Sequence, residues 1–204
     1  MNTRLFVAAL LLLPLLASAD VDRKFVEIRD KAEPLGSLSA FLDSYVGECK
    51  DPFAGPECKA NATNFRRKSN GHSYFMIIHE EAATMLSAGP YNPATGEYVI
   101  NVTPFFGAGG YAITQGAPKR ADANGNPILP TIQIKGKLTQ GWNGTRFNSL
   151  FMRRGLRVQL VFTPQDLWSL PKPGGKNYGI KARIDGLVIQ EGRTGEVLGV
   201  WYQK

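Results

Sequence analysis

A chain of 204 residues can hold one domain with a full hydrophobic core. Its 24 Lys and Arg against 17 Asp and Glu leave a net charge of +7, which suits a polyanionic partner without choosing one and serves solubility equally well. Beyond the first nineteen residues no stretch approaches the roughly eighteen uninterrupted apolar residues of a membrane-spanning helix, so a second span is excluded.

The amino end reads as an export signal. Arg4 supplies positive charge, Leu5 to Leu16 is an apolar run broken only by Pro14, and Ala17-Ser18-Ala19 is the small-x-small pattern that signal peptidase accepts. A cleavage site, not a stop-transfer signal, follows the run. No cysteine stands directly after it, which disfavours a lipid-anchored signal. The expectation is a signal peptide over 1–19, defined by Ala17, Ala19 and Asp20, and a periplasmic or secreted product with no transmembrane segment after cleavage.

Residues 20–204 are predicted to form a single α+β domain, helical over about 20–70 and β-rich over about 71–204. Val21, Phe25 and Ile28 make one apolar stripe, predicting a helix to about Lys31, and Glu33-Pro34-Leu35-Gly36 breaks it. Ser37 can cap a second helix through Leu38, Phe41, Leu42, Tyr45 and Val46. Cys49 and Cys58 flank a loop rich in proline and glycine, a spacing that reads as a local disulfide in an oxidising compartment; a pair of zinc thiolates would use closer spacing and further ligands. A third helix is predicted over Ala60 to Lys68.

From His72 the texture turns to strands. They are predicted at 73–78, 98–102, 111–114, 131–138, 156–162, 178–190 and 196–202, with loops at 105–110 and 116–130. Ala94-Thr95-Gly96-Glu97 and Arg193-Thr194-Gly195-Glu196 each precede a strand and fit hairpin connections. Helices first and strands afterwards predict N-terminal helices packed on a curved, mainly antiparallel sheet or a partly closed barrel.

Four motifs fall short of the chemistry they suggest. His79-Glu80-Glu81-Ala82-Ala83 lacks the second histidine of a zinc-protease helix. Gly71-His72-Ser73-Tyr74-Phe75 lacks the last glycine of a nucleophile elbow, so Ser73 reads as a strand residue. Gly107 to Ala112 has no room for the helix a dinucleotide fingerprint needs and reads as a bend between strands. Gly174-Gly175-Lys176-Asn177 reads as a turn after Pro171-Lys172-Pro173. Glu80, Glu81, Asp166, Asp185 and Glu191 could supply a glycosidase-like pair, which only spatial separation defines. Neither a metal nor a cofactor is expected, and the catalytic residues of any enzyme reading are unknown.

Basic residues offer a candidate site. Arg66, Arg67 and Lys68 form one group; Arg153, Arg154 and Arg157 a second; Lys172, Lys176, Lys181 and Arg183 a third. Brought together they would bind an anion, and apart they are solvated edges that guard strand margins. The matches to the glycosylation sequon at Asn61, Asn101 and Asn143 are of the kind chance supplies.

The stretches Tyr45-Val46-Gly47-Glu48-Cys49, 89–97, 121–127 and 161–168 resemble an uncharacterised family of exported bacterial proteins of unknown function. The resemblance implies an envelope or secreted location and carries over no catalytic residues. The expected function is a non-catalytic binding or accessory protein of the envelope, its partner an anionic envelope component or another envelope protein. The alternative is a hydrolase of an anionic or wall-derived substrate.

Overall fold

The computed structural model describes residues 22–47, 56–79, 85–108, 111–125, 128–137, 143–172 and 174–203. Ala17, Ala19, Asp20, Cys49, Glu80 and Glu81 lie outside this set, as do Asn126 and Pro127 of the long loop.

Asp22 opens α1 (Arg23–Arg29), its carboxylate accepting from the Lys24 N–H at 2.8 Å. The helix stops short of Lys31 because the chain turns at once to lay Glu33–Pro34 beside Tyr74 and Phe75 as a two-residue parallel strand, β1. The Glu33 and Leu35 N–H groups donate to the Ser73 and Phe75 carbonyls at 2.9 and 2.7 Å. Pro34 stands between them, where a strand turns its N–H away from the partner, so nothing is lost.

Ser37 caps α2 (Leu38–Val46) by accepting from the Ala40 N–H. Gly47 ends it at φ +70°, a left-handed cap where a Cβ would also strike Ala62 of α3 (Pro56–Ser69). α3 begins earlier than the apolar spacing indicated. The Tyr45 hydroxyl donates to Asn70 Oδ1, joining α2 to the end of α3, and burial pushes this phenol up to about 12.

The chain is α+β with mixed sheets, and its strands divide between two sheets, with no closed barrel among the described residues. The strands of the larger sheet are β1, β2 (Tyr74–Ile78), β5 (Phe105–Ala108), β6 (Tyr111–Gln115), β8 (Leu156–Lys172), β9 (Gly175–Glu191) and β10 (Val197–Tyr202). Its order is β1-β2-β8-β9-β6-β5, with β10 paired to the last part of β9. β1 joins β2 and β6 joins β9 in parallel; the other pairs in this sheet are antiparallel. The smaller sheet is β3 (Leu86–Tyr91), β4 (Glu97–Val102) and β7 (Ile132–Lys137), in that order.

The β8–β9 hairpin is the spine, each strand 17 residues long, or roughly 55 Å at strand rise. Register shifts set off Gln165 on β8 and Asp185 on β9. Such bulges bend and twist a strand, and β9 accordingly serves β6 along Tyr178–Ala182 and β10 along Gly186–Gln190. Inward residues of this hairpin, Leu160, Phe162, Ile184 and Leu187 among them, bury against α2 and the small sheet. Outside, Phe25 of α1 covers Val161 and Val188.

Four features depart from the sequence reading. Phe105 to Gly110 was expected as a loop, yet Phe105–Ala108 pairs with β6. β8 runs on past Pro164 to the hairpin tip, and Pro164 sits beside the Gln165 bulge, where the ladder is already interrupted. β3 forms although Gly89 and Pro90 weaken it, because β4 supplies its ladder. Finally, α4 (Gly144–Met152) interrupts the β-rich half, with Phe147 packed against the Tyr98 ring at 4.6 Å. That tyrosine ties the two sheets together, its hydroxyl donating to the Leu198 carbonyl while burial pushes the phenol up to about 12.

The two Thr-Gly-Glu turns do share one geometry. Gly96 and Gly195 lie at φ +72° and +76°, and their N–H groups donate back to the Asn92 and Glu191 carbonyls. Glu97 and Glu196 accept ladder bonds from Asn92 and Glu191, closing both hairpins alike.

Candidate functional site

The second of those turns lies beside the end of α4, and the site is built from this meeting. Asn143 caps α4 by accepting from the Arg146 N–H at 2.8 Å. At the other end the Arg153 N–H donates to the Ser149 carbonyl and the Gly155 N–H to the Leu150 carbonyl, both at 2.9 Å. This is a Schellman ending, and its left-handed position is filled by Arg154 at φ +54° rather than by glycine. β8 leaves at Leu156, paired with Glu191, and the Gly192 N–H donates to the Gly155 carbonyl at 2.7 Å. β2 runs alongside, its Ile78 opposite Val158, and delivers His79 to the same end.

These segments surround a cleft of about 490 Å³ lined by His79, Arg146, Arg153, Arg154, Glu191 and Arg193, among others. Glu191 is its one carboxylate among the described residues, only 10 % exposed at the side chain, and it is engaged: Arg146 Nη2 donates to Oε2 at 3.0 Å and Thr194 Oγ1 at 2.6 Å. Arg146 is thereby fixed on the wall, while Arg153, Arg154 and Arg193 are exposed at the rim. Guanidinium groups present forked donors matched to phosphate and carboxylate oxygens. The arrangement can hold an anion; Ser149, which also lines the cleft, turns its hydroxyl to donate to the Arg146 carbonyl at 2.8 Å.

The second predicted basic group is thus split and extended. Arg153 and Arg154 reach the cleft, whereas Arg157 turns its Nε and Nη2 to Gln190 Oε1 at 3.2 and 3.0 Å. Arg146 and Arg193 join from places the sequence reading did not single out. The first group stands apart, on α3, whose end touches β8 at Pro164 and Gln165, roughly 25–30 Å along the strand from Gly155. There Arg66 donates to the Tyr45 carbonyl at 2.8 Å and to Thr63, capping α2. Of the third group, Lys172 and Lys176 flank the hairpin tip, and Lys181 and Arg183 lie further along β9.

The candidate carboxylates are occupied separately. Asp185 accepts from Ser73 at 3.3 Å, from Thr163 at 2.7 Å and from Arg183, which pins its bulge and places Ser73 in a structural bond. Asp166 accepts from its neighbour, the Leu167 N–H. Among the described residues no cluster of three His, Cys, Asp or Glu could hold a metal ion. A wider cleft of about 630 Å³ over the small sheet mixes Glu97 with Lys135 and Lys137 and focuses no single charge.

A non-glycine residue in the left-handed region costs on the order of 1 kcal/mol and persists where something else is gained. Arg154→Gly should therefore stabilise the fold by roughly 0.5–1 kcal/mol in denaturant melts. The same change should weaken anion binding. A variant that is destabilised, or that binds as before, would show that the arginine is there for packing alone.

Across residues 1–204 the chain matches a family described as a family of unknown function (DUF6066). No curated protein and no solved structure matches it.

Proposed function

The chain belongs to DUF6066, a family of unknown function, and from its own geometry we propose that it is a non-catalytic binding protein of the cell envelope that holds an anionic component in the arginine cleft. One observation carries the reading. Arg146, Arg153 and Arg154 of α4 and its C-terminal end meet Arg193 of the β9–β10 turn and His79 at the end of β2 on a cleft whose one carboxylate among the described residues is already held by Arg146 and Thr194. A wall of that composition raises the local concentration of anions and repels cations. In the same proposal residues 1–19 are removed on export, and Cys49 and Cys58 close a disulfide over the loop between α2 and α3.

Heparin affinity tests the cleft. The wild-type chain should be retained at low salt and released as salt rises, because exposed charges are screened. Replacing Arg153, Arg154 and Arg193 together by serine should weaken binding roughly a hundredfold, at ~1 kcal/mol for each basic residue facing an anionic surface. The protein for this measurement, recovered from the envelope fraction, should begin at Asp20 and show no free thiol. Unchanged retention of the triple variant would remove the proposal.

A further inference from the structure

We infer that the anionic component is the headgroup layer of a lipid bilayer, on which the protein docks through the arginine rim with Met152 entering the acyl boundary. The inference rests on the anion-binding reading and goes beyond it through the apolar groups beside the cleft. Four large apolar side chains are exposed among the described residues: Ile77, Ile128, Met152 and Tyr178. Two of them stand at this one end of the molecule.

Met152 is 86 % exposed, far more than the other three, and directly precedes Arg153 and Arg154. It leaves the last turn of α4 on the solvent arc, since Phe147 and Leu150 define the buried face. At the same end, Ile77 is 44 % exposed on β2. Its register partner Gln159 puts it on the face of the sheet that carries Gln190 and Arg157, so it adds apolar surface at this end without lining the cleft. An apolar tip flanked by guanidinium groups is poorly suited to a small dissolved anion, which is held in an enclosed pocket. It matches an anionic membrane surface, where arginines engage phosphates while a flexible apolar chain enters the interface. Among the described residues no helix is long and apolar enough to cross a membrane, and docking of this kind requires none.

The test is co-sedimentation of the chain, from Asp20 onward, with vesicles of phosphatidylcholine alone or with phosphatidylglycerol added, run beside heparin chromatography. Wild-type protein should pellet with the phosphatidylglycerol vesicles and stay in solution with phosphatidylcholine alone. Met152→Ser preserves charge and removes an exposed side chain, so folding is not at stake. It should reduce vesicle partition severalfold and leave heparin elution unchanged. If Met152→Ser partitions like wild type, the lipid inference is overturned while the anion-binding reading stands. If the triple arginine variant also keeps its heparin retention, both fall.

Discussion

Gly179→Ala should be strongly destabilising. At Gly179 the three strands β8, β9 and β6 pass side by side, with Trp168 and Ala112 as the flanking register partners. The Trp168 indole lies across the glycine, so an added Cβ would collide with ring atoms Cζ2 and Cε2 and with the Ala112 carbonyl oxygen. The ring is 6 % exposed and cannot swing away without opening the sheet. The carbonyl is backbone and belongs to the neighbouring strand, so it cannot yield without loosening the β6–β9 pairing. Overpacking of this kind costs about 3 kcal/mol or more. In a chain of this size that lowers the melting temperature by roughly 10 °C. Gly175→Ala is the control on the same strand, since its Cβ would meet nothing within 4 Å. A Gly179→Ala protein that melts with the Gly175→Ala control would mean that the indole does not cover β9 in solution.

That position also shows where sequence reasoning reached and where it stopped. Ser37 was readable as a cap because a serine before Leu38, Phe41 and Leu42 satisfies an orphan N–H by local chemistry alone. The Thr-Gly-Glu turns were readable because positive φ calls for glycine whatever the fold around it. Nothing local marks Gly179, whose demand for a bare backbone comes from a tryptophan eleven positions earlier on another strand. β3 was missed for a similar reason: Leu-Ser-Ala-Gly-Pro-Tyr has little strand preference, and the partner makes the strand. α4 left a signal that went unread, since Asn143 is a helix cap followed by Phe147, Leu150 and Phe151 at helical spacing. Reading Asn143 only as a sequon hid the helix.

The cleft was legible in part. Arg153 and Arg154 stood out as adjacent charges, but Arg157 was grouped with them by proximity along the chain, and strand alternation sends it to Gln190. Arg146 follows from α4, since positions 146, 149, 150 and 153 share one side of a helix. Arg193 and His79 could not have been assigned from sequence, because their arrival depends on the pairing of Leu156 with Glu191 and of Ile78 with Val158. Charge composition suited a polyanionic partner and solubility equally; tertiary pairing decides which charges stand together at the cleft.

Glu191 is where the demands of stability and of binding oppose each other most directly. Its carboxylate joins Arg146 of α4 to Thr194 of the β9–β10 turn, at 3.0 and 2.6 Å, and so ties together two of the segments that form the cleft. Glu191→Ala removes a nearly buried acceptor of two hydrogen bonds, one of them charge-assisted. The full figure for breaking a buried ion pair does not apply, because the Arg146 side chain is 39 % exposed and water can reclaim it. A loss of about 2 kcal/mol remains, which lowers the melting temperature by roughly 5 °C. Binding should move the other way. Without the Glu191 carboxylate the cleft carries one more net positive charge, and the Arg146 guanidinium loses the anion that neutralises it. Heparin elution should therefore shift to higher salt even as the protein melts earlier, the reverse of the pattern for Arg154→Gly. Glu191→Gln can still accept from Thr194, so it should recover part of the stability while keeping the tighter binding. If Glu191→Ala weakens stability and heparin retention together, the carboxylate is organising the arginines rather than opposing them, and the cleft works as a preassembled cage instead of a cationic surface.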